Sequence, residues 1–199
     1  MKVSSERFAR IISTLFVPPS FTIILFALFA FTLETGSLQK IITILTAFIF
    51  GFSAQIILFV IFRKRGRIAD LDASVKEERT TPFVISTGFY IIGLIILINF
   101  NVHIFSIAFW FCYISNTLVT IFINKHWKIS AHAMGAAGPL AAAVYVFGPI
   151  AFIFSLIVFL VGWSRIQLKA HNFAQVLAGI LLGFISTYLQ IYFIVKWFN

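Results

Sequence analysis

The sequence predicts an all-α integral membrane protein, a single domain built as a bundle of about six to seven transmembrane helices. Hydrophobic residues make up 61 % of the 199 residues and charged residues only 11 %, and the mean hydropathy is +1.04. Soluble domains do not have such a composition. The apolar runs are close to the roughly 20 residues that a helix needs to cross a bilayer, and a helix satisfies its own backbone hydrogen bonds there.

Seven apolar runs account for nearly the whole chain. Pro18 and Pro19 interrupt the first run, so its early turn is expected to be kinked or to lie outside the helix. Gly148 and Pro149 are predicted to form the turn between the short fifth and sixth runs, the alternative being one long broken span. The predicted spans are residues 11–33, 39–62, 83–100, 103–124, 132–147, 149–163 and 173–197.

The net charge of +9 is spread over several segments between the spans. This scatter does not form the compact basic surface of a nucleic-acid-binding domain, so no nucleic-acid partner is expected. With seven spans, only Lys40 and Lys196 of the 15 lysines and arginines fall opposite the N-terminal side. The positive-inside rule then predicts that the N-terminal side is cytoplasmic, in the cell (inner) membrane.

Three polar segments, residues 66–83, 124–138 and 162–179, meet the membrane on that same side. In the first, Lys76 and Arg79 are one helical turn apart, which predicts that they face a phosphate together. The spacing of the spans therefore predicts that residues distant in sequence converge at one end of the bundle.

The second segment places Ser130 and His132 at the start of a span rich in glycine and alanine. Helix N-termini offer free N–H groups to anions, and ionisable residues at membrane depth are more often functional than structural. Small residues also let helix backbones approach closely, and the pair Gly179 and Gly183 in the last span predicts such packing.

The third segment carries Arg165, His171 and Gln175, and Gln175 is four residues after His171, so that it can reach the imidazole ring. Two histidines and an arginine form a set suited to phosphoryl transfer. One imidazole attacks phosphorus, the other protonates the leaving oxygen and the guanidinium binds the non-bridging oxygens. The residue types alone do not decide which histidine attacks.

In order and spacing, these segments resemble the three signature motifs of the type 2 phosphatidic acid phosphatase superfamily of integral membrane lipid phosphatases. The resemblance covers about residues 70–185 and is strongest in the third motif, Ser-Arg, five residues, His, three residues, Asp. In "SRIQLKAHNFAQ" that motif is matched by Ser164, Arg165 and His171, with Gln175 at the position of the aspartate.

The other two motifs are matched more loosely. The second, Pro-Ser-Gly-His, is similar to "ISAH", which keeps Ser130 and His132. The first, Lys, six residues, Arg-Pro, is similar to "KEERTTP", in which Arg79 is separated from Pro82 by two threonines. Asp72 stands where the lysine of that motif is expected.

The resemblance implies a core at about residues 66–199 that hydrolyses a phosphate or diphosphate monoester of a lipid, phosphatidate-like or polyprenyl, without a metal or other cofactor. It implies that His171 is the nucleophile, which forms a phosphohistidine, and that His132 is the general acid. It further implies phosphate binding by a set of cations and a hydroxyl: Arg165, Arg79, Lys76 and Ser130.

Gln175 departs from the family aspartate that orients the histidine and stabilises its charge. Its carbonyl oxygen can accept the Nδ1–H and keep the tautomer, but the amide supplies no charge, and the corresponding change in a Ser-His-Asp triad costs about 10⁴-fold in turnover. Either another carboxylate replaces that charge, or hydrolysis is slow, or the protein is not a phosphatase. The carboxylates available in the first segment are Asp70, Asp72, Glu77 and Glu78.

Two other functions remain open from the sequence. Asp70 and Asp72 are the residue types with which a Mg²⁺-dependent prenyl or lipid transferase binds a diphosphate. Alternatively, the departures from all three motifs suit a non-catalytic lipid-binding or transport protein with a weakened site.

Overall fold

In the computed structural model, which describes residues 2–70 and 75–198, the chain is helical with short connections, and these two ranges contain no β-strand. Two π-helical turns, at Ala47–Ser53 and Leu182–Ser186, and two 3₁₀ segments, at Glu77–Arg79 and Gly148–Phe154, adjoin the α-helices. The α-helices are α1 (Lys2–Leu15), α2 (Pro18–Thr32), α3 (Ser37–Thr46), α4 (Ala54–Lys64), α5 (Thr80–Asn99), α6 (Ile104–His126), α7 (Ala131–Phe147), α8 (Ser155–Gln167), α9 (Phe173–Leu181) and α10 (Thr187–Phe198).

By length and apolar composition, five continuous helical stretches in the described part of the chain are able to cross a membrane. The bent pair formed by α1 and α2 adds a sixth. The predicted all-α membrane bundle is therefore confirmed, with boundaries near those expected. The five stretches are Ser37–Lys64, Glu77–Asn99, Ile104–His126, Ala131–Gln167 and Phe173–Phe198.

The 37 residues Ala131–Gln167 do not form one straight rod. As a rod of α-helix they would be about 55 Å long, yet Lys128 just before them bonds to Ala170 just after them. Helix α7 packs against α8, and the chain reverses direction at Gly148, whose φ of +74° is readily adopted only by glycine. The turn predicted at Gly148 and Pro149 is confirmed.

The two prolines of the first run open a helix rather than kink one. Pro18 and Pro19 occupy the first turn of α2, where proline is tolerated because its missing N–H has no partner to lose. The chain bends by 49° between α1 and α2. The predicted span 11–33 is therefore divided, and α1 packs against α8 instead of continuing α2.

Aromatic side chains form the larger core, between α2, α5 and α6. Phe26 and Phe29 pack on Phe109 and Trp110, and Trp110 donates its indole N–H to the carbonyl of Tyr90 at 2.7 Å. A smaller core of α1, α7 and α8 includes Ile12, Ala136, Ala137, Leu140, Val158 and Val161. The small alanines of α7 let its neighbours approach closely, so α7 is the central helix near the polar end.

The final span lies against α7 through two glycines. A Cβ atom added at Gly179 would lie 2.5 Å from the carbonyl oxygen of Ser130, and one at Gly183 would lie 2.5 Å from that of Met134. No side chain fits there without moving a backbone. The close packing predicted for this pair is confirmed, and it places the start of α9 directly against the start of α7.

Replacing Gly183 with alanine is expected to destabilise the protein by about 1–3 kcal/mol, because the added methyl group forces α9 and α7 apart. Thermal unfolding in detergent, followed by circular dichroism, measures the change. Gly88→Ala is the matched control: Gly88 also lies inside a helix, but a Cβ there meets nothing within 4 Å. The control should be neutral or more stable by up to about 1 kcal/mol, and an equal loss in both variants would contradict the packing argument.

Candidate functional site

Three connections between helices meet at one end of the bundle and are joined by hydrogen bonds. Arg79 donates through Nη1 to the carbonyl oxygen of Ile129 at 3.1 Å. Lys128 donates through Nζ to the carbonyl oxygen of Ala170 at 2.6 Å. The backbone N–H of Ser130 donates to the carbonyl of Gln175 at 3.2 Å. The convergence predicted from the spacing of the spans is thus present in the structure.

Arg165, in the last turn of α8, is buried even more completely than Arg79, with 0 % of its surface exposed. Its Nη1 donates to the hydroxyl of Ser13 at 2.6 Å. Ser13 lies in α1, is itself buried, and belongs to a part of the chain outside the region of resemblance. The N-terminal helix therefore helps to orient the guanidinium that the sequence assigns to phosphate binding.

The turn after α8 carries His171 back toward Arg165. Lys169 adopts left-handed backbone geometry, with φ of 54°, at the position where glycine usually ends a helix. The N–H groups of Lys169 and Ala170 donate to the carbonyls of Ile166 and Arg165, and the N–H of His171 also donates to that of Arg165. Such geometry costs a lysine about 1–2 kcal/mol, which the hydrogen bonds of this turn offset.

Gln175 holds the imidazole of His171 in one tautomer. Its Oε1 lies 3.1 Å from Nδ1 of His171 and also accepts the N–H of Asn172 at 3.3 Å. Asn172 and Gln175 form a capping box at the start of α9, which fixes the amide with its oxygen toward the ring. Because that oxygen has no hydrogen, Nδ1 carries the proton and the lone pair remains on Nε2.

The surroundings of His171 favour the neutral ring. Burial, followed by the positive charges of Arg79, Lys128 and Arg165, lowers the pKa of His171 from 6.5 to about 3. The hydrogen bond that Nδ1 of His171 donates to Gln175 raises this pKa, but by less. The imidazole is therefore uncharged at neutral pH, as a nucleophile must be.

Ser130 and His132 lie at the beginning of α7. Ser130 is fully buried and caps the helix, since its hydroxyl accepts the N–H of Ala133 at 3.3 Å. His132 follows in the first turn and is half-buried. Both residues are thus at the polar end, as predicted.

Lys76 and Arg79, which the spacing predicts to face a phosphate together, make different contacts in this structure. Lys76 donates to the carbonyl of Lys125 at 3.3 Å and lies 3.6 Å from the carboxylate of Glu77. Arg79 is turned inward and is 3 % exposed. Residues 77–79 form a 3₁₀ turn before α5, and joint binding of a phosphate by Lys76 and Arg79 stays a prediction.

Two residues of this end were not among the predicted site residues, namely Lys128 and Ser13. Lys128 stands two positions before Ser130, and its charge within the second polar segment was a usable signal. Ser13 lies in an apolar run with no motif, so the sequence carried no signal for it. Only the packing of α1 on α8 brings it to Arg165.

The metal-dependent alternative depends on Asp70 and Asp72. Asp72 lies outside the described residues. Asp70 acts electrostatically on Lys128 and raises the pKa of that lysine, but burial and the charges of Arg79 and Arg165 lower the same pKa by more. Within residues 2–70 and 75–198, no group of three or more histidine, cysteine, aspartate or glutamate side chains is placed to hold a metal ion. A diphosphate-bound Mg²⁺ at Asp70 and Asp72 stays an untested prediction.

Comparison of the chain with protein-family models, with curated proteins and with solved structures finds no match. The resemblance to the lipid phosphatase superfamily therefore rests on the motif residues of the sequence.

His171 is expected to remain neutral at pH values well below 6.5, whereas a histidine in the unfolded chain has a pKa of about 6.5. NMR spectra of protein labelled with ¹⁵N-histidine in detergent, assigned with His171→Asn, measure this directly. Since the unfolded chain binds the proton first, stability is expected to fall as the pH decreases from 6.5 toward 3. His171→Asn should lose the part of this pH dependence that is due to His171. A titration midpoint of His171 near pH 6.5 would contradict the electrostatic argument.

Proposed function

We propose that the protein is a membrane lipid phosphatase that hydrolyses a phosphate or diphosphate monoester of a lipid through a phosphohistidine at His171. The observation that carries the proposal is the arrangement of His171. Its ring is neutral, its Nδ1–H is held by Gln175, and three cations, Arg79, Lys128 and Arg165, act on it electrostatically. A neutral nucleophile among fixed positive charges suits attack on a phosphate.

In the first step, Nε2 of His171 attacks phosphorus and the bond from phosphorus to the leaving oxygen breaks. The resemblance assigns His132 as the acid that gives this oxygen its proton. In the second step, water attacks the phosphohistidine, His132 takes a proton from that water, and inorganic phosphate leaves with Nε2 restored. The developing positive charge on His171 is offset by the incoming phosphate, since Gln175 is uncharged.

The lipid bilayer supplies the substrate at the depth of the site. His171 and Lys128 lie in the connections just beyond the helical stretches, while Arg165 and Arg79 lie in the first or last turns of those stretches. Head groups of membrane lipids are at this level, and their chains extend between the apolar helix faces. This location supports a phosphorylated lipid over a soluble phosphate ester as substrate.

Purified protein in detergent is expected to release inorganic phosphate from phosphatidate or from a polyprenyl diphosphate, with equal rates with and without EDTA. His171→Ala should reduce the rate by at least about 10³-fold, the scale seen when a nucleophile is removed. His132→Ala should reduce it by about 10²–10⁴-fold.

The outcomes separate the alternatives. Equal slow release by the wild type and by His171→Ala contradicts the proposal. Loss of activity in EDTA, with transfer of the lipid chain to an acceptor, indicates the transferase that uses Asp70 and Asp72. Binding of a lipid phosphate that survives alanine at both His132 and His171, without release of phosphate, indicates a non-catalytic lipid-binding protein.

Gln175→Glu is expected to raise kcat, because glutamate has the same reach, suits the capping box equally well, and adds the charge that stabilises the histidinium-like transition state. The increase is between about 10-fold and the 10⁴-fold that a carboxylate-to-amide change costs a triad. Gln175→Leu keeps the size and removes the acceptor, and it should lower kcat. If neither variant changes kcat, Gln175 does not act through His171.

A further inference from the structure

We propose that Lys128 binds a non-bridging phosphate oxygen of the substrate, together with Arg79 and Arg165. It would thus replace the lysine of the first motif, whose position is occupied by Asp72 in this chain. This inference rests on the proposed function and adds a residue to it. Neither the motif resemblance nor the spacing of the polar residues assigns a role to Lys128.

Geometry places the ammonium of Lys128 beside His171. It donates to the carbonyl oxygen of Ala170 at 2.6 Å, and Ala170 is the residue immediately before His171. An ammonium group has three N–H donors, so two remain after this bond. The anchoring bond fixes the charge at the edge of the site and leaves donors for a ligand.

Charge at this end favours an anion. Lys128 is subject to repulsion from Arg79 and Arg165, and its own charge acts on His171. Asp70 is the acidic residue that acts on Lys128. Gathering three cations around a buried imidazole costs free energy, which an anion with two or more charges offsets.

Lys128 is also the cation that an entering ligand reaches. Arg79 and Arg165 are almost completely buried, whereas Lys128 is half-buried. Burial and the neighbouring arginines lower the pKa of its ammonium, which means that the group is poorly solvated and gains from an anionic partner. A lysine suits this place, because its flexible stem lets a point charge follow the phosphate.

Lys76, the lysine predicted for this role, is directed elsewhere. Its ammonium contacts the carbonyl of Lys125 and the carboxylate of Glu77, whereas Arg79 is among the charges that act on Lys128 and His171. The position of the motif lysine, with six residues between it and Arg79, is occupied by Asp72, which is outside the described residues. Lys128, in the second polar segment, thus provides the cation that the family pattern places in the first polar segment.

The test compares Lys128→Gln with Lys76→Gln in the full-length protein in detergent. Both changes remove one positive charge and keep a hydrogen-bond donor, so overall charge and folding are matched. The probe is inorganic phosphate, and binding is measured as the rise in unfolding temperature with phosphate concentration. Lys128→Gln is expected to weaken binding by about tenfold, equal to about 1.4 kcal/mol, whereas Lys76→Gln should bind as the wild type does.

Two further readouts make the result specific. Lys128→Arg should restore phosphate binding, because it returns the charge. In Lys128→Gln the pKa of His171 should rise, since one of the cations that lowers it is gone. A lysine that acts only through its bond to Ala170 would not make phosphate binding depend on the positive charge at position 128.

The inference is overturned if Lys128→Gln binds phosphate as tightly as the wild type, or if Lys76→Gln weakens binding equally. Phosphate release that depends on His171 would in that case leave the proposed function intact. A wild type that binds no phosphate, with release unaffected by His171→Ala, overturns both.

Discussion

The polar end of the protein depends on the direct contact between the beginnings of α7 and α9. Gly179 and Gly183 leave no room for a side chain between the two backbones, and the N–H of Ser130 bonds to the carbonyl of Gln175 across that contact. Lys128 and Ser130 on one segment, and His171 and Gln175 on the other, are therefore held side by side. Any larger residue at Gly179 would separate the residues that form the candidate site.

Around that contact, electrostatics rather than hydrogen bonding sets the chemical character of the site. Three cations act on His171, and its hydrogen-bond partner Gln175 is uncharged. His171, Arg79 and Arg165 are buried, so water screens these charges less than at an exposed surface and their mutual repulsion is stronger. In the proposed function, a phosphate group that enters would relieve the repulsion and also provide the negative charge that an aspartate at position 175 would have provided.

The sequence predicted much of this end and missed parts of it for identifiable reasons. Arg79, Ser130, His132, Arg165, His171 and Gln175 all lie at the polar end, because the length of each apolar run fixes which connections share a side. Joint binding of a phosphate by Lys76 and Arg79 stays a prediction, since Lys76 contacts the carbonyl of Lys125 and the carboxylate of Glu77, whereas Arg79 is turned inward. Ser13 was missed because its contact with Arg165 depends on where α1 packs.

By itself, the sequence determined the all-α membrane class, the approximate limits of the spans and the convergence of three polar segments. These follow from local rules: apolar run length, proline and glycine positions, and the demand that backbone groups in lipid bond internally. Only the tertiary structure decided that α1 leaves the line of α2 to support Arg165 and that Lys128 lies beside His171. Those outcomes depend on packing between segments up to about 150 residues apart, and no local pattern records such distances.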